Sequence, residues 1–243
     1  MLWRICSALI LLAAAMVIAQ AQGPSKPPGS GDASDVELVE RLIIARRDYQ
    51  KSLETLRAHY LKTGDLERAK WAEEELVSYH RILKHAYKLD LAVPPPTLKP
   101  RVNIPEANKL YIQAMQYKDH GWGNDYIDNQ RRAEILFQQI LTQYPESTVI
   151  SDVAYQLGDL YESKAYKLYR LAAAYFERCF QWSPTTQFDA RTRAARLYDR
   201  QLQERGKAIE LYRQVTEHEI EPKRITEAKK RLADLSGSRI QGQ

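Results

Sequence analysis

Apolar residues recur at three- and four-residue steps along most of the chain. The first run, Val39, Leu42, Ile43, Tyr49, Leu53, Leu56 and Tyr60, falls on one helical face, with Asp35 placed ahead of it as a cap. A second run holds Leu66, Ala69, Ala72, Leu76, Tyr79, Leu83 and Tyr87 and follows Lys62-Thr63-Gly64-Asp65. Gly64 suits a left-handed helix end and Asp65 an N-cap, so residues 35–91 are expected to fold back as an antiparallel helical hairpin. Val93-Pro94-Pro95-Pro96, with Pro100 and Pro105 beyond, then breaks the periodicity. Proline lacks an amide donor and favours extended chain, so residues 92–104 read as a semi-rigid spacer. From Pro105 the helical pattern resumes and runs to residue 236.

The start of the chain has a different texture. One positive charge at Arg4 precedes an apolar stretch from Ile5 to Ala19, broken only by Ser7 and closed by Ala19-Gln20-Ala21. These are the parts of a secretory signal peptide over residues 1–21, and the stretch is shorter than the ~20 apolar residues a membrane span needs. Export to the periplasm or the extracellular space is expected, soluble after cleavage; retention of the leader as an anchor is the rival reading. Residues 22–34 are dominated by Gly, Pro and Ser and read as a disordered linker, and residues 237–243 as a disordered tail.

Composition narrows the picture further. The formal charge is +5, but Lys and Arg alternate with Asp and Glu almost everywhere, and no segregated basic stripe invites nucleic acid. With Cys6 inside the leader, the mature chain keeps only Cys179, so its stability must come from packing and not from an internal disulfide. Cys179 sits among aromatic residues at helical spacing and reads as a small buried apolar group.

Candidate chemistry is sparse. The histidines are His59, His80, His85, His120 and His218, and none forms a His-Glu-x-x-His pair. No nucleophile elbow, Gly-rich phosphate loop or Cys-x-x-Cys is present. The chain is expected to be no enzyme, with no cofactor and no metal.

The second half repeats itself. Leu157-Gly158-x-x-Tyr161 is followed by Ala172-x-x-x-Phe176-x-x-Cys179 and Pro184. The preceding segment carries Leu110, Ala114 and Tyr117, then Ala133-x-x-x-Phe137-x-x-Ile140 and Tyr144-Pro145. The following one has Ala194-Ala195-x-x-Tyr198, then Ala208-x-x-x-Tyr212-x-x-Val215 and a displaced Pro222. This pattern resembles the tetratricopeptide repeat (TPR) over roughly Pro105 to Pro222. It departs from that family at Ala154, where a Trp is usual, and by two extra residues between the halves of the middle copy.

The resemblance implies an all-α fold: the hairpin, then a short TPR-like α-solenoid of about three helix pairs over 105–236, closed by a capping helix from Ile225 to Leu235. It also implies a concave groove for a partner segment. Aligned on the copies, the groove residues are Asn108, Tyr111 and Met115, then Asp152, Tyr155, Asp159 and Glu162, then Thr192, Arg196 and Asp199. Their mix of aromatic and acidic groups suits a protein or peptide partner bearing Lys or Arg. The corresponding function is a non-catalytic protein-binding scaffold of the cell envelope, like the exported bacterial TPR proteins that coordinate envelope complexes. Two other classes compete: a self-associating structural protein using Tyr49, Tyr60 and Tyr79 of the hairpin, and an enzyme or sugar-binding module using the aromatic groove. Trp122, between Gly121 and Gly123, is expected to fold back over its own helix pair.

Overall fold

Asp65 accepts a hydrogen bond from the backbone N–H of Arg68 at 3.1 Å, and Gly64 ahead of it sits at φ 79°. The two residues end α1 (Asp35–Thr63) and start α2 (Leu66–Arg81) within a single turn, which forces the helices antiparallel. The structure, a computed structural model, describes residues 34–237. The stretch read as a leader, most of the stretch read as a linker and the last six residues lie outside it.

The hairpin buries less than the sequence pattern suggests. Val39 and Leu53 of α1 and Ala69 and Ala72 of α2 are buried, while Leu42, Tyr49, Leu56 and Leu66 are exposed. Two helices cover only a narrow stripe of each other, so the flanking apolar positions stay in solvent. α2 stops at Arg81, leaving Leu83 and Tyr87 beyond it in an irregular stretch before the one-turn α3 (Leu89–Ala92).

The proline-rich stretch after α3 is no free-standing spacer. Val93 joins the main core, and three side chains of one later helix hold the following carbonyls: Tyr175 to Ala92 at 3.4 Å, Arg178 to Pro94 at 2.7 Å and Trp182 to Pro95 at 3.0 Å. The strap then pairs with the loop near Ser147, the amide of Arg101 donating to Glu146 at 2.8 Å and that of Thr148 to Val102 at 2.9 Å. A proline-rich stretch has few partners of its own for its carbonyls, and the long donors of that later helix, α7 (Tyr169–Trp182), satisfy them.

Beyond the strap the all-α architecture expected from the sequence is present. α4 (Pro105–Tyr117) pairs with α5 (Asn124–Gln143), α6 (Ile150–Glu162) with α7 (Tyr169–Trp182), and α8 (Ala190–Arg200) with α9 (Arg205–His218). α10 (Pro222–Ser236) follows as a single closing helix, packed on α9 with Ala228 fully buried. Each pair also packs on the next, giving a solenoid-like stack with one continuous core. The middle crossing is tightest: a Cβ placed on Gly158 would stand 2.7 Å from the Phe176 ring. Tyr161, Ala172 and Cys179 are buried beside it, and burial pushes the Cys179 thiol up to about 11. Among the described residues no helix is long and apolar enough to cross a membrane.

Candidate functional site

The first helices of the pairs, α4, α6, α8 and then α10, are joined side by side through polar side chains. Lys118, at the end of α4, bonds the carboxylate of Asp159 on α6. Arg193 on α8 reaches back to Asp159 at 2.6 Å and to Glu162 at 3.0 Å, with its guanidinium 4.5 Å from the Phe176 ring centroid. Arg196 on α8 pairs with Glu227 on α10, and Asp199 takes Arg231 of α10 through both its oxygens at 2.8 Å. The same row of helices carries the ten groove residues read from the sequence.

This ladder changes what those residues offer. Burial alone would push the Asp159 carboxyl up, but the Lys118 ammonium and the Arg193 guanidinium hold it below the ordinary carboxylate value. Asp199 follows the same logic under Arg231, and its side chain is only 4% exposed. Thr192 is 1% exposed, its side chain taken up in the packing of the stack and not offered to a partner, a correction to the groove set. Asp159, Glu162, Arg196 and Asp199 are therefore already engaged by Lys118, Arg193, Glu227 and Arg231 of neighbouring helices before they can meet anything else.

The other end of the row stays open. Tyr111 and Tyr155 are half-buried, and Met115 is exposed. Tyr155 stacks on Phe188 at 4.2 Å and donates to Asp189 at 2.7 Å; burial, with the Asp189 carboxylate, pushes its hydroxyl up to about 12. Asn108 donates to Asn103 at 2.6 Å, and its own carbonyl oxygen is buried without a partner. Asp152 is half-buried, and among the described residues no hydrogen bond or ion pair engages its carboxylate. Burial raises its pKa, and its charge is felt at the hydroxyl of Tyr111. Of the four groove acids, it is the one with no internal cation.

Trp122 does not fold back. Gly121 and Gly123 both take positive φ, 86° and 58°, and carry the indole outward until it is 92% exposed. The hairpin tyrosines, in contrast, are tied within the hairpin. Tyr49 donates to Glu75 and meets Tyr79 edge-on at 5.1 Å, while Tyr79 donates to the backbone of Arg46 at 2.8 Å.

A second concavity was not legible in the sequence. Three cavities of about 290, 600 and 570 Å³ lie between the hairpin and α5, and Glu54 borders all three. Its floor is a polar cluster on α5. Glu134 accepts from Tyr161 at 2.9 Å and also from Tyr166, and Gln138 donates to Tyr175 at 2.8 Å. Arg131 lies 3.6 Å from the Tyr166 ring centroid. Burial, then the neighbouring Lys84 and Arg131, lower the pKa of His80 against the pull of Glu54. Lys84 is lowered by burial and by Arg131 and Arg46, against Glu134. The signal that could have found this cleft was the run of unpaired charges on the hairpin's inner side, but helical periodicity alone does not say which helix will face it.

Among the described residues no group of three or more His, Cys, Asp and Glu is placed to hold a metal ion. Compared with protein-family models, curated proteins and solved structures, the chain matches none of them.

Proposed function

We propose that this chain is an exported, non-catalytic scaffold of the cell envelope, of the tetratricopeptide type, that holds a partner segment against the α4–α6 part of its helix row. The observation that carries this reading is the state of Asp152. A half-buried carboxylate with no internal cation, its charge felt at Tyr111 and with Tyr155 three residues further along α6, stands on a row whose other acids are already neutralised. A partner that places a Lys or Arg there relieves the burial of a lone charge, and the tyrosines supply contact area at little entropic expense. The recognition is thus narrower than an acidic groove: one cation flanked by apolar or aromatic contact.

The test is selection from a random decapeptide display library on the full-length chain, run beside the Asp152→Lys variant. Enrichment of Lys or Arg at a fixed position, exchanged for Asp or Glu by the variant, is the expected result. Selected peptides with no basic position, or the same peptides from both proteins, would sink the idea. Charge reversal at Asp159 or Glu162 is a poor probe, because it also breaks the Arg193 pairs that join α6 to α8.

A further inference from the structure

The cleft between the hairpin and α5 carries a charge excess that the chain itself leaves uncompensated. Arg57 is offset by Glu73, Arg131 by Glu134, and Asp128 by Arg81. Arg46, Arg47, Lys51, Lys84 and Arg132 also border the cleft, and among the described residues none of them forms an ion pair. Against these five cations stands one uncommitted carboxylate, Glu54, which only accepts from Gln50. Arg131 is 8% exposed, and its Nε is buried without a partner. Like charges in a cleft with low-dielectric walls reinforce each other's field. Burial first, and the neighbouring cations after it, lower the pKa values of His80 and Lys84.

The cations are spread out, not convergent. The cavities border α1 from Ile43 to Arg57, which at ~1.5 Å per residue is roughly 21 Å of helix. An extended chain of about six residues, at ~3.3 Å each, spans that length. Ile43, Leu76, Val77 and Ile135 line the same cavities and offer contact to apolar side chains.

We propose that this cleft is a docking site for an extended acidic peptide segment, about six residues long, with carboxylates alternating with apolar side chains. A single small anion would satisfy one of the cations and leave the others unpaired. The site is separate from the Asp152 region and does not depend on it; the two surfaces would let one scaffold hold a basic and an acidic segment together.

The experiment uses a fluorescein-labelled Glu-Leu-Glu-Leu-Glu-Leu peptide, with the full-length chain titrated by anisotropy. Binding is expected to weaken by about tenfold or more in the double variant Arg47→Glu/Arg132→Glu and to fall with added salt. An Arg213→Glu control on the exposed side of α9 should bind as the parent does. The imidazole NMR signals of His80 should move with the peptide while those of His218 stay, which locates the site even should the double variant not fold. Absence of binding, equal binding by a folded double variant, or unmoved His80 signals would overturn the proposal. Displacement by inorganic pyrophosphate at the same midpoint as by unlabelled peptide would overturn it too, by showing a small-anion site.

Discussion

Asp159 on α6 holds the guanidinium of Arg193 on α8 at 2.6 Å, and its second oxygen takes the ammonium of Lys118 from the end of α4. One carboxylate thereby joins three successive helix pairs. Its folded pKa is depressed despite burial, so on acidification the unfolded chain takes up the proton first, near ~3.9. The stability it contributes is complete above that value and is lost as pH falls through the folded pKa.

Asp159→Asn should therefore cost about 1–3 kcal/mol at neutral pH, because Lys118 stays buried with only Asp119 as a carboxylate partner. Urea denaturation from pH 7 down to pH 3 checks this. The difference between parent and variant should shrink below about pH 4 as the parent's carboxylate is protonated. A difference that stays constant over the whole range would show that the pair contributes nothing through its charge.

Gly158→Ala should destabilise the chain by about 1–3 kcal/mol, since the new Cβ would stand 2.7 Å from a fully buried Phe176 ring that has nowhere to go. Adding Phe176→Leu should recover part of the loss, and this non-additivity is the diagnostic. Gly206→Ala makes the opposite prediction. Nothing lies within 4 Å of its Cβ position in the first turn of α9, so the substitution should stabilise by up to about 1 kcal/mol through the unfolded chain.

The period of the pattern is a local property, and the parts of the fold that depend on it were readable: the Gly64-Asp65 turn, the paired helices from Pro105 on and the closing helix. Gly158 and Phe176 were readable together because close helix approach needs a missing side chain opposite a ring. What the sequence could not show is where long polar side chains end. Asp159, Glu162 and Asp199 look like free acids in a linear reading, and only the stacking of α8 and α10 brings Arg193 and Arg231 onto them. The same gap hid the docked strap, whose prolines suggest a spacer until α7 supplies the donors. It hid the hairpin cleft as well, which forms where α2 packs on α5 and brings α1 alongside.

Trp122→Ala should leave stability within about 0.5 kcal/mol of the parent, because a side chain that is 92% exposed has almost no packing to lose. Acrylamide quenching gives the direct check. The most accessible fraction of tryptophan emission should drop in the variant, while the fraction from Trp182, which is 4% exposed, is retained. A stability loss of several times that size would mean the indole does cover its own helix pair.

Trp182→Phe addresses the strap. The ring of Phe keeps most of the buried area but removes the indole N–H that donates to the Pro95 carbonyl at 3.0 Å. The net loss should be about 0.5–1.5 kcal/mol, the ordinary range for one hydrogen bond. Its consequence should be local. Arg178 still holds Pro94 at 2.7 Å, so the strap should loosen from Pro95 onward and not detach. Prolines carry no amide proton, so hydrogen exchange must be read at Leu98, Arg101 and Val102, whose amides donate to Pro95 and Glu146. These should exchange faster in the variant, with the amides of α7 unchanged. Uniform acceleration across strap and helix would instead report global destabilisation, and the indole would then be a core residue that happens to touch a carbonyl.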